Sequence, residues 1–233
     1  MLDIKEHGID AGPVVCISTG SEDDDNHRFR ADCERWFGCP ITQLKSEQYE
    51  DTWDVWTKRR FMASIHGASC SRELKFVVRL NFEQPTDAHV FGYTFDPLDR
   101  KRAQRLKEDF SPLGSIVTPL ISRCITKANC MALLDGVGIA LPRTYAMGFP
   151  NANCLKSGCV KATSPGYWAL HRQCFPEGFA RTAALARELN VRIARIGETR
   201  VFIDDIPADF PTTNAIAPAC DLLCSINAKD LIA

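Results

Sequence analysis

Short apolar runs alternate with longer stretches in which apolar residues recur at helical spacing, the pattern of an α/β domain with a largely parallel sheet. Pro13 to Ser18 (PVVCIS) predicts a buried strand, and Phe29, Cys33, Trp36 and Phe37 then recur at helical spacing after an acidic first turn. Ile41 to Leu44 predicts a second strand. Thr52 to Met62 predicts a helix with Trp53 and Trp56 on one face, and Ser71 to Phe82 another, with Leu74, Val77 and Val78 inward. His89 to Tyr93 and Ser115 to Leu120 read as further strands around a charged, mostly exposed helix, Leu98 to Phe110. Thr126 is placed to cap a helix that stops near Gly136 and Gly138.

From Leu141 the texture changes. Prolines and glycines punctuate a loop carrying two cysteines, followed by helical segments at Tyr167 to Phe175 and Pro176 to Leu189, a short strand at Arg200 to Ile203, and a Pro-rich tail. The expected organisation is an α/β domain over 1–140 and a cysteine-rich C-terminal lobe over 141–233.

Charge narrows the partners. The 28 Lys+Arg and 29 Asp+Glu among 233 residues leave a net charge of −1, which argues against the wholesale phosphate neutralisation of a nucleic-acid binder. Local basic patches at Lys58-Arg59-Arg60 and at Arg100-Lys101-Arg102 with Arg105 keep a nucleic acid as a weaker alternative partner, although charge runs are usually solvated faces. No run reaches the roughly 18 apolar residues of a membrane span, and MLDIKEHGID lacks the order of a signal peptide. A soluble, cytoplasmic protein without a membrane partner is expected.

In a reducing compartment the 11 cysteines point to metal, cluster or thiol chemistry rather than disulfides. Cys16, Cys33, Cys39, Cys124, Cys130 and Cys174 are assigned to structure, and the five histidines show no metal-site or triad spacing.

Three segments carry candidate chemistry. Ser18-Thr19-Gly20-Ser21 follows a strand and opens a helix, where an open α/β sheet presents N–H groups and hydroxyls to ligands. Glu22, Asp23, Asp24 and Asp25 follow at once, and are expected to serve the helix dipole and repel a phosphate. Cys70 lies at an expected helix N-terminus, where the dipole favours the thiolate, with Lys75 one turn on as an anion contact. Cys154-x4-Cys159 and Cys220-x3-Cys224 are two close pairs on turn-forming stretches, together the donor set of a tetrahedral thiolate site for zinc or an iron–sulfur cluster.

The series VVCISTGSEDDDNHRF, ITQLKSEQYEDTWDVWTKRRF, ASCSRELK, HVFGYTFD, TKANCMALLDGVGIALP, NANCLKSGCVKATSPGYWALHRQCFPEGF, RVFIDDIP and CDLLC resembles the phosphoadenosine phosphosulfate (PAPS) reductase family, in its phage and bacterial branch of the adenine nucleotide alpha hydrolase-like superfamily. The resemblance runs from about residue 13 to 226. It implies a Rossmann-like parallel sheet and sulfur transfer or reduction on an adenine nucleotide, ATP or PAPS. Thr19, Gly20 and Glu22 match the loop that helps hold the nucleotide, with Ser18 beside them as a candidate nucleotide contact; Cys70, Leu74 and Lys75 match the cysteine-x-x-x-leucine-lysine element; Gly92, Tyr93 and Thr94 match the glycine–aromatic–threonine strand end. Cys70 is the implied catalytic residue, Lys45 and Lys75 the phosphate contacts, and Cys154, Cys159, Cys220 and Cys224 the implied ligands of a [4Fe–4S] cluster or zinc.

The departures are specific. The family's first strand and its Ser-Gly-Gly-x-Asp-Ser pyrophosphate loop have no counterpart, Ser18 stands for the usual aspartate before Thr-Gly, and the Glu-Cys-Gly-Leu-His tail of true PAPS reductases is lacking. These departures imply a weakened nucleotide site, and either remaining strands that close ranks, a sheet completed by a partner chain or a second copy, or a reading frame that starts late. They also support a different class, a catalytically silent relative kept as a binding or regulatory module with a structural four-cysteine metal site. The weaker alternative is nucleic-acid base modification by thiolation.

Overall fold

The computed structural model describes residues 12–64, 67–84, 86–110, 115–213 and 215–216. Among them the chain is a mixed α/β protein. Strand β1 (Val14–Ile17) leads into helix α1 (Asp25–Phe37), β2 (Ile41–Leu44) and α2 (Thr52–Arg59). A short hairpin, β3 (Ala63–Ser64) with β4 (Gly67–Ala68), opens a continuous helical stretch: α3 (Ser69–Ser71), a π-helical segment Arg72–Phe76, and α4 (Val77–Phe82). Then come β5 (Ala88–Val90), α5 (Pro97–Phe110), β6 (Ser115–Val117), α6 (Pro119–Ser122), α7 (Lys127–Gly136) and α8 (Arg143–Ala146). Helices α9 (Pro165–Cys174) and α10 (Pro176–Glu188) precede a second hairpin, β7 (Ala194–Ile196) with β8 (Thr199–Val201), and a 3-10 turn at Ile203–Asp205.

Both parallel pairs are strand–helix–strand units, because a parallel neighbour needs a crossover that a tight turn cannot supply. β1 pairs with β2 from Val14↔Ile41 to Ile17↔Leu44, and β5 with β6 from Ala88↔Ser115 to Val90↔Val117. The β3–β4 and β7–β8 pairs are antiparallel.

The expected buried strand at β1 is corrected. No residue of β1, β2, β5 or β6 is buried, Cys16 is exposed, and Val15, Val90 and Val117 are 39%, 68% and 39% exposed. Strands of a finished parallel sheet are covered on both faces; here each pair stands as two strands among the described residues. The strand expected to reach Leu120 stops at Val117, because Pro119 takes the first position of α6, where its missing N–H costs nothing.

The main core joins residues from both sides of position 140. Trp56, Val55, Met62 and Leu74 pack in one cluster with Leu155, Tyr167, Trp168 and Ile203. Each fully buried large side chain contributes about 1.5–3 kcal/mol relative to exposure. Phe76 and Leu106 form a smaller cluster with Phe91, Tyr93 and Ile116, and this cluster seats β5–β6. The helices divide unequally: α9 and α10 are deeply packed, while α7 buries no residue. Among the described residues no helix is long and apolar enough to cross a membrane.

Candidate functional site

The loop after β1 is a closed turn. Ser18 N–H donates to the Leu44 carbonyl at 2.8 Å, so pairing with β2 continues one residue past the strand. Gly20 then takes φ +71°, and a Cβ there would sit 2.1 Å from the Glu50 carbonyl oxygen, so only glycine allows the turn to close on the segment before α2. Ser21 Oγ lies 2.9 Å from Thr52 Oγ1 and accepts the Thr52 N–H, fastening the same contact.

Glu22 folds back over this turn. Its Oε1 accepts from Thr19 N at 2.8 Å and from Thr19 Oγ1 at 2.6 Å, and its Oε2 from Ser18 Oγ at 3.1 Å. The next carboxylates stand at the N-terminus of α1, where Asp23 Oδ1 accepts the Asp25 N–H at 3.0 Å, and cations hold each of them as well. Arg143 grips Asp23 with Nε and Nη2, Lys156 donates to Asp24 at 2.6 Å, and Arg28 donates twice to Asp25. Asp25 is pulled down to about 2, chiefly by Arg28, with the Arg143 backbone N–H adding to it.

The cysteine-rich loop meets this turn directly. Cys154 Sγ lies 3.1 Å from Thr19 Oγ1. The single Thr19 hydroxyl proton is committed to Glu22 at 2.6 Å, so the thiol is the donor and a hydrogen-bond chain runs from thiol to hydroxyl to carboxylate. Lys156 N–H donates to the Ser21 carbonyl at 2.9 Å and Asn26 Nδ2 to the Ala152 carbonyl at 2.8 Å, so the loop is seated on both sides of Cys154. Behind it, Trp53 Nε1 donates to Thr182 Oγ1 and Thr182 donates to the Ser157 carbonyl, each at 2.8 Å.

Cys159 N–H donates to the Tyr167 hydroxyl at 2.9 Å. Desolvation pushes the Tyr167 phenol well up, and the Cys159 and Cys154 thiols add to this, while the Cys159 N–H opposes it. The pair supplies two soft donors from one loop, which fits half of a tetrahedral thiolate site. Cys220 and Cys224 lie outside the described residues. Among the described residues no three His, Cys, Asp or Glu side chains are grouped to hold a metal ion.

The other candidates divide by place. Lys45 is exposed just past β2, and Gly92, Tyr93 and Thr94 follow β5. Ser18 to Glu22 and Lys45 thus follow the carboxyl ends of β1 and β2, and Gly92 to Thr94 follow that of β5, which belongs to a separate two-stranded pair among the described residues. Thr94 is buried and tied locally: its N–H donates to Asp99, and its Oγ1 lies 2.7 Å from both Asp96 and Asp99. Lys75 lies in the π-helical segment Arg72–Phe76, and the Cys16 thiol is pushed up by desolvation and then by Glu22, with Arg30 and Lys75 opposing. Cys70 stands second in α3, half-buried and packed against the main core.

Sequence reasoning missed Arg143 and Lys156. The one available signal was the run Asp23-Asp24-Asp25, which demands cations from elsewhere in the fold. It also missed the buried Glu73, held by Arg59 and Arg72. The chain matches no protein-family model, no curated protein and no solved structure.

Proposed function

We propose that the chain is a PAPS reductase-like protein that acts on an adenine nucleotide in sulfur transfer or reduction. The observation that carries this reading is the 3.1 Å approach of Cys154 Sγ to Thr19 Oγ1, which puts a thiol at the carboxyl end of β1. In this reading the sheet is Rossmann-like and is completed by a further strand. The Ser18 to Glu22 turn holds the nucleotide, and Lys45 and Lys75 meet its phosphates as charge-assisted donors. Cys70 is the nucleophile toward sulfur. Cys154 and Cys159, with Cys220 and Cys224, would hold a [4Fe–4S] cluster or zinc; the cluster would supply electrons, zinc a structural clamp.

A second reading has its own observation. Glu22 already takes the Thr19 N–H and the Ser18 and Thr19 hydroxyls of the turn, and Arg143 and Lys156 fasten the neighbouring carboxylates. That arrangement suits a silent relative whose acidic turn docks the C-terminal lobe and whose cysteines hold a structural metal. Metal analysis and the visible spectrum of protein purified without oxygen separate the two. About four irons per chain and a broad visible absorbance support the redox reading. About one zinc in a colourless sample supports the structural one. Activity on PAPS that survives Cys70→Ser would remove Cys70 from the mechanism.

A further inference from the structure

A cavity of about 320 Å³ opens beside the β3–β4 hairpin, lined by Arg59, Phe61, Ser64, Ser69, Arg72 and Glu73 among others. Its chemistry is set by one carboxylate. Glu73 is 5% exposed, and a single oxygen, Oε1, accepts from Arg59 Nη2 at 2.5 Å and from Arg72 Nη1 at 2.8 Å. A buried carboxylate needs a cation, and one suffices for neutrality. Here two guanidinium groups converge on it, and both stay substantially open, with side chains 44% and 53% exposed. The wall therefore carries one net positive charge on two planar forks that a buried anchor holds in place.

Each guanidinium has five N–H donors. Arg72 gives one N–H to Glu73, its side chain is 53% exposed, and it lines the cavity. Forked guanidinium donors match the oxygens of a phosphate or sulfate better than an ammonium does. Phe61, 43% exposed on the same wall, offers an apolar face to whatever carries the oxyanion. The neighbouring Ser69 hydroxyl is engaged with the Phe61 carbonyl at 2.7 Å and steadies the rim.

We propose that this cavity binds the phosphate or sulfate monoester of a small aromatic compound, the oxyanion on Arg59 and Arg72 and the ring on Phe61. The proposal stands on the Arg59–Glu73–Arg72 arrangement and the cavity, and does not rest on the adenine nucleotide reading. Phenyl phosphate, phenyl sulfate, inorganic phosphate and acetate are suitable probes for isothermal titration calorimetry on the full chain. Phenyl phosphate or phenyl sulfate is expected to saturate one site, at least tenfold more tightly than inorganic phosphate, with acetate weaker still. The stronger of the two esters assigns the oxyanion.

Arg72→Gln is expected to weaken the better ester at least tenfold, and Arg72→Lys to recover only part of the loss. Phe61→Ala is expected to bring the ester down to the affinity of inorganic phosphate. Arg59→Gln and Arg72→Gln each leave the buried Glu73 with one guanidinium, so the melting temperature of Arg72→Gln, the variant at the more exposed side chain, is compared with the parent's and is expected to stay close to it. Absence of saturable heat for both esters at 10 mM on the order of the weakest measurable binding, or binding unchanged in Arg72→Gln, overturns the proposal.

Discussion

Arg143 holds Asp23 through two N–H donors, Nε at 2.9 Å and Nη2 at 2.8 Å, across 120 residues of chain. Asp23 is 2% exposed while Arg143 lies largely in solvent, so the pair is a buried carboxylate reached from outside. Asp23→Ala removes the anchor, frees the Arg143 fork to water, and is expected to destabilise the protein by about 1–3 kcal/mol. Urea unfolding measures it, with Asp204→Ala as the comparison: Asp204 pairs with Arg187 at the surface, and its loss is expected to leave the midpoint unchanged. Equal midpoints for the two variants would show that Asp23 is not a docking point.

Gly178 in α10 presses on the cysteine-bearing loop. A Cβ at this position would lie 1.8 Å from the Lys156 carbonyl oxygen, a backbone atom that cannot swing aside. Gly178→Ala is expected to cost about 2–3 kcal/mol through overpacking. It should also speed proteolysis within 154–159, because helix and loop must separate. A variant with the parent's melting temperature and cleavage rate would show that the loop tolerates a different seat.

His171 sets an acid limit. It is fully buried among Tyr167, Trp168, Phe175 and Phe179, with Nε2 2.7 Å from the Leu155 carbonyl. Burial pushes it down to about 4 from the ordinary 6.5, against the raising effect of the Leu155 bond. The unfolded chain therefore binds a proton that the native state refuses. Stability is unaffected above about pH 6.5 and falls as pH drops toward 4, by roughly 3 kcal/mol over the window. Chemical unfolding at pH 7, 6, 5 and 4 should show this slope, and His171→Phe should flatten it. A slope preserved in the variant would assign it to the carboxylates.

Local signals were legible in the sequence. The strand Ile41–Leu44 falls where its apolar residues end, and Thr126 caps α7 by exchanging hydrogen bonds with Asn129. The π-helical turn at Arg72–Phe76 and the two-residue strands of β3–β4 left no trace, because RELKF has the spacing of an ordinary helix and Ala-Ser and Gly-Ala carry no strand preference. The exposure of Cys16 was hidden too, since an apolar run reports a preference for burial and not the presence of a covering element. Candidate chemistry followed the same division. Thr19 and Cys154 were each marked by their own surroundings, but their contact joins positions 135 residues apart, and no local pattern encodes it.

We propose that the turn holding Thr19 and Gly20 at the carboxyl end of β1 takes an adenine nucleotide, with Lys75 of the π-helical segment Arg72–Phe76 meeting its phosphates. Calorimetric titration of the full chain with ATP and with PAPS tests it most directly. One saturable site with a Kd of about 0.1 mM for at least one of them, near −5.5 kcal/mol, is expected. Lys75→Met is expected to weaken that binding about tenfold, the loss of one charge-assisted contact. No heat of binding for either nucleotide up to several millimolar, on the order of −3 kcal/mol or less, would contradict it and leave the acidic turn as a docking device for the C-terminal lobe.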